Sequence, residues 1–440
     1  MIKLTDINEI PVRVLLLNGS PRKKNNSGIL LEKANETIDS LPNTETRELH
    51  IFGKHYDPAN TKDDFAEFLA LWRWADAIVL SAPIYTAAGP GILYHAFDRL
   101  ATELEPELAQ GRYEKAGAVI MQGSETYGMV ELGLENAIEL FSSLHVIPAY
   151  RLAGRVPDKE QPQDERLFAG ARELGKQVVD VARILRLASD ITPKNRANLF
   201  VINAGVDQPE IGDAITARIV NKLSKSELVS VSTYRFAGKR MEGCHHCNQY
   251  CYEHFDCVYK DGFQEFKEKW LQADGILWVS SSGRVGPPTA VRCALDRLSE
   301  NGFSTVLHRT ITQSVPYQFA KYRRPEGVIA YDTIRYGGQS LAQQFYFDHA
   351  VLRGNLIVTG SDTNYPLGPA AFLRQATQLG SDQFLTDAVD RLTQDIERLT
   401  ARVLAAKYAA YESLSEEYFP ARTKMGLTDK PSYEESVSNE

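Results

Sequence analysis

The sequence predicts an α/β protein built from two tandem doubly wound domains, each with a five-stranded parallel sheet. Two observations predict this fold. Over roughly the first 185 residues, short apolar runs alternate with helix-length segments, and the same alternation then begins again. Continuous apolar runs are typical of strands buried on both faces, as in a parallel sheet covered by helices. A chain of 440 residues also has the length of two or three domains.

The elements of the first half follow one another in a regular order. Each predicted strand is an apolar or alternating run closed by a turn residue, and the five strands lie at 12–18, 44–51, 77–82, 117–122 and 146–152. Helices are predicted between and after them at 27–40, 62–75, 91–102, from 123 to about 144, and at 163–187. Pro83 and Gly123 end the third and fourth strands, because neither residue suits a strand interior.

Short matching blocks indicate an internal duplication. Residues 273–277 match residues 75–79 at an offset of 198, and residues 294–298 match residues 96–100 at the same offset. Further on, residues 327–329 match residues 117–119, and residues 336–337 match residues 127–128. Four blocks in the same order favour two copies of one unit. We therefore expect domains at 1–188 and 189–410, followed by a polar C-terminal tail at 411–440.

Composition excludes several classes of function. The formal net charge is −8 and there is no long basic run, which argues against nucleic acid and anionic membranes as partners. No segment approaches the ~18 apolar residues that a membrane span needs. Asp6 and Glu9 precede the first apolar run, unlike the start of a signal peptide. We expect a cytoplasmic protein that acts on a small-molecule substrate.

Three loops follow the first, third and fourth strands, at the edge where open parallel sheets bind their ligands. In the first loop, backbone N–H groups and the start of the next helix would face a phosphate. The side chains that could add donors or positive charge there are those of Ser20, Arg22, Asn26 and Ser27.

These loops resemble those of the NADPH-dependent FMN reductase branch of flavodoxin-like proteins. The resemblance rests on residues 14–22 (Val-Leu-Leu-Leu-Asn-Gly-Ser-Pro-Arg) with Asn26 and Ser27 after them, on residues 81–85 (Ser-Ala-Pro-Ile-Tyr) with Asp-Arg at 98–99, and on the loop 123–131. The usual Gly-Asn-Thr step after the arginine reads Asn-Asn-Ser here, and Asn tolerates a positive φ.

The resemblance implies a flavodoxin-like fold in both domains and an FMN site in the first. The phosphate would lie on the first loop. The flavin ring would lie between two groups of residues: Pro83, Ile84, Tyr85 and Thr86 after the third strand, and Gly123, Ser124, Tyr127 and Gly128 after the fourth. Flavin sites of this family lie at dimer interfaces, so we expect either a homodimer or a pseudo-dimer formed by the two halves of one chain.

The second domain keeps the pattern of strands and helices but not the phosphate loop. Asp207 and Glu210 bring negative charge to the corresponding helix start, and Pro209 removes an N–H donor. This domain would hold a substrate, contribute loops to the flavin of the first domain, or bind a flavin of its own.

A cluster of cysteines distinguishes the second domain. Cys244, Cys247, Cys251 and Cys257 lie within fourteen residues, before a helix predicted at 266–273; we call residues 244–257 the cysteine segment. Such clustering favours metal or redox chemistry over a disulfide framework. The segment is similar to that of iron–sulfur flavoproteins, with three residues instead of two between the second and third cysteines. The resemblance implies a four-iron four-sulfur cluster; a tetrahedral zinc site and metal-free thiols are the alternatives. Cys293, on a predicted helix, is expected to be an ordinary packed cysteine.

The resemblance implies an FMN-dependent oxidoreductase that takes electrons from NAD(P)H and reduces a small electrophilic acceptor, such as a quinone, a flavin or an activated double bond. The alternative is an FMN and iron–sulfur electron-transfer protein that serves a partner enzyme. A non-catalytic paralogue is the third hypothesis. We assign no catalytic side chain, because in such proteins the cofactor carries the chemistry.

Overall fold

The chain divides into two compact units, of which the first covers Thr5–Asp190 and the second holds the rest of the sequence. We refer to them as the first and the second domain. The computed structural model describes residues 7–56, 62–85, 88–108, 115–123, 130, 133–134, 137, 140–141, 144, 146–156, 164–190, 196–206, 209–245, 257–281, 286–298, 324–332, 356–358, 370–372 and 383–411.

The first domain is a five-stranded parallel sheet in the order β2-β1-β3-β4-β5. Its strands are β1 (Val12–Asn18), β2 (Thr44–His50), β3 (Ala77–Pro83), β4 (Lys115–Gly123) and β5 (Val146–Arg155). Its long helices in the described residues are α1 (Asn26–Ser40), α2 (Phe65–Trp74), α3 (Gly91–Leu108) and α4 (Glu165–Asp190). This strand order is that of flavodoxin-like folds, in which the β1/β3 boundary is the switch point.

The core of the first domain follows directly from the apolar pattern. In β3 the residues from Ala77 to Ala82 are all buried, as expected for a strand with helices on both faces. Helix α1 buries one stripe with helical spacing, which includes Leu31, Ala34 and Ile38. On the other face, Phe68 and Trp72 of α2 pack edge-on at a ring separation of 6.1 Å.

The second domain repeats this architecture. Its sheet has six strands, of which five follow the order β10-β9-β8-β6-β7, while β11 pairs with β9. The strands are β6 (Ala197–Ala204), β7 (Val229–Arg235), β8 (Gly275–Ser281), β9 (Pro325–Asp332), β10 (Leu356–Val358) and β11 (Ala370–Phe372). The described helices are α5 (Pro209–Leu223), α6 (Gly262–Gln272), α7 (Thr289–Leu298) and α8 (Gln383–Tyr411).

The sixth strand of the second sheet has a simple origin. Strand β10 pairs with β9 at residues 325–327, and β11 pairs with the same strand at residues 330–332. Strand β8 takes the opposite edge of β9. Two short strands therefore share the place that the single strand β5 has in the first domain. The prediction of two parallel flavodoxin-like sheets is confirmed, and the second sheet has its fifth strand in two pieces.

Individual contacts also repeat between the domains. The backbone N–H of Arg13 donates to the carboxylate of Asp76 at 2.9 Å, and that of Asn198 donates to the carboxylate of Asp274 at 2.8 Å. Each contact joins the start of the central strand to the turn before its neighbour. The duplication inferred from the sequence therefore extends to the hydrogen bonds.

The helix predicted at 266–273 begins four residues earlier, at Gly262. The reason is a capping box, in which Asp261 accepts from the first turn while Gln264 accepts the N–H of Asp261. Of the tail predicted at 411–440, only Tyr411 lies within the described residues. Among the helices that the structure describes, none is long and apolar enough to cross a bilayer.

Candidate functional site

Three hydrogen bonds bring the predicted loops of the first domain together. The N–H of Gly19, just after β1, donates to the carbonyl oxygen of Ser81 in β3 at 2.8 Å. The N–H of Ile84, just after β3, donates to the carbonyl oxygen of Gln122 in β4 at 2.8 Å. The side chain of Gln122 in turn donates to the hydroxyl of Ser27, in the first turn of α1, at 3.1 Å. The first loop, the second loop and the end of β4 therefore meet at the C-terminal edge of the three central strands.

The first loop is held in shape by its own side chains. The N–H of Ser20 donates to Oδ1 of Asn18 at 3.2 Å, and the N–H of Arg22 donates to the hydroxyl of Ser20 at 3.2 Å. Asn25 is the N-cap of α1, because its Oδ1 accepts the N–H of Gly28 at 2.6 Å. The side chain of Ser20 is buried, whereas that of Arg22 is exposed. The exposed side chain of Arg22, followed by Lys23 and Lys24, places positive charge beside the start of α1, where an anion is stabilised.

Glycine is required in this loop because the backbone lies directly on its neighbours. A Cβ on Gly19 would lie 2.9 Å from Cβ of Ala82, and one on Gly28 would lie 3.0 Å from Nδ2 of Asn18. The first contact would require a shift of the backbone, and the second would displace the side chain of Asn18 that holds the loop. The close approach fixes the height of the loop above the sheet.

His50, at the end of β2, supports the first loop from the side. Its Nε2 lies 3.1 Å from the carbonyl oxygen of Ser20 and 3.5 Å from Nδ2 of Asn25. The hydrogen bond of the imidazole is the one to the Ser20 carbonyl, because Nδ2 of Asn25 is itself a donor and donates to the carbonyl oxygen of Arg22. Since the donor role of each ring nitrogen depends on the tautomer, the contact to the carbonyl assigns the proton to Nε2.

The second loop forms a tight turn that exposes an aromatic ring. The N–H of Tyr85 donates to the carbonyl oxygen of Ala88 at 2.6 Å, and the reverse bond measures 3.2 Å. Ile84 is buried and Pro83 is half-buried, but Tyr85 is 40% exposed. An exposed tyrosine at this edge offers a flat apolar surface for a flavin ring.

Part of the predicted site lies outside the described residues. Gly123 is buried at the end of β4, and its carbonyl oxygen accepts the N–H of Val156 at 2.9 Å. Asn26 is half-buried in the first turn of α1. The predicted site residues that the structure does not describe are Thr86, Ser124, Tyr127 and Gly128. Their roles stay predictions.

In the second domain, the cysteine segment coincides with an insertion. The turn after the second strand recurs at an offset of 185, with Gly53 at φ 71° and Gly238 at φ 79°. The carboxylate before the next helix recurs at an offset of 198, as Asp63 and Asp261. The second domain therefore has 13 extra residues between these two points. All four clustered cysteines lie in this stretch.

A buried ion pair ties the two ends of the insertion together. Nη1 of Arg297 donates to both carboxylate oxygens of Asp261 at 2.9 Å and to the carbonyl oxygen of Glu242 at 3.3 Å. Nη2 of Arg297 donates to the carbonyl oxygen of Tyr259 at 3.0 Å. The arginine and aspartate side chains are only 2% and 5% exposed. Since residues 242 and 259 flank the cysteine segment, we call this pair with its backbone partners the Asp261–Arg297 clamp.

The thiols that the structure describes all lie near this clamp. Cys244 and Cys257 are half-buried at the two ends of the segment. Cys293, one helical turn before Arg297, lies beside the start of the segment, since a Cβ on Gly243 would be 3.9 Å from its Sγ. Burial raises the pKa of the Cys293 thiol.

The chemistry of the donor set, four thiols on one short loop, fits a cluster or a zinc ion. Cys247 and Cys251 lie outside the described residues. Within the part of the chain that the structure describes, no group of three or more metal-binding side chains is found. The metal assignment therefore stays a prediction.

Sequence reasoning missed three residues that organise the first loop. These are Asn18, His50 and Gln122. Asn18 could have been found, because an asparagine recurs at the end of the equivalent strand as Asn203. The other two act through contacts to residues 30 and 95 positions away, for which the sequence gives no signal.

Comparison with known proteins identifies the family of the chain. A family model described as NADPH-dependent FMN reductase matches residues 12–155 and again residues 197–346, about two thirds of the chain. An iron–sulfur flavoprotein from Archaeoglobus fulgidus is 24% identical over 188 residues, which are 42% of this chain and 82% of that protein.

Solved structures give weaker similarities. A structure of RosB with bound 8-demethyl-8-formylriboflavin-5'-phosphate matches 40% of this chain and 80% of its own, at 17% identity and a TM-score of 0.34. An apo NADH:FMN oxidoreductase matches 39% of this chain and 89% of its own, at 19% identity and a TM-score of 0.30. Because the family model covers both halves and its first match spans all three loops, the chain belongs to the NADPH-dependent FMN reductase family, in a duplicated form.

Proposed function

We propose that this enzyme binds FMN at the three loops of the first domain, is reduced by NAD(P)H, and passes electrons to a small electrophilic acceptor. A quinone, a free flavin or an activated double bond fits that description. The family membership supports flavin reduction by a nicotinamide nucleotide. The choice of acceptor and the residues of the site are the proposal.

One observation carries the proposal: hydrogen bonds join the first loop, the second loop and the end of β4, which precedes the third loop, at the C-terminal edge of the sheet. The bonds Gly19–Ser81, Ile84–Gln122 and Gln122–Ser27 fix the spacing of the loops before any ligand arrives. A site that is already formed loses less conformational entropy on binding. The order β2-β1-β3-β4-β5 makes this edge the switch point, where such folds bind their ligands.

The residues divide into two roles. The guanidinium of Arg22 and the positive start of α1 would bind the phosphate, and Ser20 and Ser27 would orient the first loop. Tyr85 would face the flavin ring, which supplies the hydride and electron chemistry when bound. The exposure of Tyr85 leaves this edge accessible to a flat substrate.

The test is a measurement of flavin content and NAD(P)H oxidation in the full chain. We expect tightly bound FMN and turnover with a quinone acceptor. Arg22→Gln is expected to raise the dissociation constant for FMN about tenfold, the effect of one charge-assisted hydrogen bond. Arg73→Gln is the matched control, since it removes an exposed arginine from the C-terminal end of α2, at the opposite edge of the sheet. A chain that binds no FMN, or equal losses in both variants, would refute the proposal.

A second function is favoured by the insertion in the second domain. The 13 extra residues hold four cysteines, and the buried Asp261–Arg297 clamp holds their two ends. A relative that is 24% identical is an iron–sulfur flavoprotein. These observations support an FMN and iron–sulfur protein that transfers electrons to a partner enzyme.

Iron analysis after anaerobic purification separates the two functions. About four irons per chain, lost in Cys257→Ser but not in Cys293→Ser, would support the electron-transfer function. Zinc or no metal, together with rapid turnover of a small acceptor, would leave the reductase function alone.

A further inference from the structure

The second domain retains the framework of the first loop. The N–H of Gly205 donates to Oδ1 of Asn203 at 3.0 Å, as the N–H of Ser20 donates to Oδ1 of Asn18. A Cβ on Gly212, in the first turn of α5, would lie 2.5 Å from Oδ1 of Asn203. The turn after β6 and the start of α5 therefore approach each other as closely as their counterparts in the first domain.

The register of the sheets identifies which residue of the fourth strand faces this turn. In the first domain Pro83 pairs with Gln122, and in the second Ser281 pairs with Tyr331. The two strand positions before the loop thus correspond, and Tyr331 stands where Gln122 does. The register also corrects the sequence match of residues 327–329 to residues 117–119 by one position. Gly327 pairs with Leu277 and therefore corresponds to Ala118, not to residue 117.

Tyr331 fills the space under the turn. Its side chain is fully buried. A Cβ on Gly205 would collide with the Tyr331 hydroxyl, and one on Gly212 would lie 2.8 Å from it. The hydroxyl also accepts a hydrogen bond from the backbone N–H of Gly212. In the first domain the shorter side chain of Gln122 stops at the hydroxyl of Ser27.

Acidic residues at the start of α5 also disfavour a phosphate there. Glu210 lies in the first turn, whereas the first turn of α1 carries no acidic residue. The carboxylate of Asp213 accepts from Nδ2 of Asn203 at 2.7 Å and from the guanidinium of Arg235 at 2.8 and 2.9 Å. Two carboxylates thus complement the helix start that would otherwise attract a phosphate.

We propose that the Tyr331 side chain occupies the phosphate position of the second domain, so that the chain binds a single FMN although the family model matches both halves. This inference rests on the proposed function of the first domain. Tyr331 acts as a determinant of flavin specificity, because its hydroxyl accepts the N–H of Gly212 at the helix start, where a phosphate would otherwise bind. The second domain is then free to use its cysteine segment, without a flavin of its own.

The first experiment counts FMN and locates it. The full chain is titrated with FMN, and hydrogen exchange is followed by mass spectrometry in peptides covering residues 18–28 and 203–212. We expect saturation at one FMN per chain, with slower exchange only at 18–28. Saturation at two, or slower exchange at 203–212, would overturn the inference and leave the proposed function intact. No FMN binding would refute the proposed function and the count of one together.

The second experiment tests Tyr331 itself. In a chain whose first loop is inactivated by Ser20→Asp and Arg22→Glu, Tyr331→Gln restores the residue of the first domain, and Tyr331→Phe keeps the ring as a matched control. We expect Tyr331→Gln to bind FMN at least tenfold more tightly than Tyr331→Phe, with slower exchange at 203–212. Equal binding by the two variants would show that Tyr331 does not exclude the phosphate.

Discussion

Replacing Asp261 with asparagine is expected to destabilise the second domain far more than Asp63→Asn destabilises the first. The two carboxylates hold equivalent positions and each pairs with an arginine, Arg297 or Arg99. The pairs differ in exposure. The side chains of Asp261 and Arg297 are 5% and 2% exposed, whereas those of Asp63 and Arg99 are 36% and 20% exposed. The chain therefore contains its own control.

The magnitudes follow from burial. Loss of one partner from a buried pair costs about 3–5 kcal/mol, because the other charge stays buried without compensation. An exposed pair contributes about 0.2–1 kcal/mol. Asp261 also accepts the N–H groups of Glu242 at 2.7 Å and Phe263 at 3.0 Å, which places its loss at the upper end. For a domain of this size, a loss of about 3–5 kcal/mol lowers the melting temperature by roughly 6–20 °C.

Pulsed hydrogen exchange along a urea series measures both effects in one molecule, because peptides from each domain report its own unfolding. We expect Asp261→Asn to lower the free energy of unfolding of the second domain by about 3–5 kcal/mol. Asp63→Asn should lower that of the first by about 1 kcal/mol or less. Equal effects of the two substitutions, or less than 1 kcal/mol for Asp261→Asn, would refute the reasoning.

The Asp261–Arg297 pair also predicts that the stability of the second domain depends on pH. Burial by itself raises the pKa of Asp261, but the N–H of Glu242 and the Arg297 guanidinium outweigh it and lower the pKa overall. Because the folded pKa is below the unfolded value of about 3.9, the stabilisation is present above that pH. It is lost as the pH falls through the folded pKa. Asp261→Asn should remove this part of the acid sensitivity of the second domain, which urea series at pH 3 and pH 6 would show.

Two further substitutions test the packing and the electrostatics of the helices. Gly175→Ala in α4 would press a Cβ against the carbonyl oxygen of Ala34 in α1. It should lower the free energy of unfolding of the first domain by about 1–3 kcal/mol, measured in urea. A change below about 0.5 kcal/mol would contradict this close approach. Burial raises the pKa of Asp395 in α8 to about 7, against the opposing effect of Arg398 and Arg391, so the second domain should lose stability as the pH rises from about 4 through 7. Asp395→Asn should remove this loss and stabilise the domain by a few kcal/mol at pH 8 relative to pH 5, and an effect independent of pH would contradict the assignment.

Local patterns were sufficient to predict the fold. An apolar run such as Val12–Asn18 and the stripe of α1 are properties of neighbouring residues, and the structure places both elements within one residue of their predicted bounds. The larger differences are at helix ends, and the largest is at the end of α3, which runs to Leu108 instead of 102. Helix α2 begins at Phe65 instead of 62, and helix α6 begins four residues early at the Asp261 cap.

The site was only partly predictable, because its geometry depends on contacts that are distant in sequence. The turn and the helix start predict Ser20, Arg22 and Ser27, and the structure places them together beside the start of α1. The bond from Gln122 to Ser27 spans 95 residues, and the sequence gives no indication of it. The position of Tyr331 beneath the turn required the register of β8 and β9, which the sequence comparison displaced by one residue.

The most direct test of the central claim compares FMN with riboflavin, which lacks the phosphate. If the first loop binds the phosphate through two or more charge-assisted hydrogen bonds of about 1.5–3 kcal/mol each, FMN should bind at least ~100-fold more tightly than riboflavin. Arg22→Gln should reduce that ratio about tenfold by weakening FMN alone. Equal dissociation constants for the two ligands, or a ratio that Arg22→Gln leaves unchanged, would contradict the account.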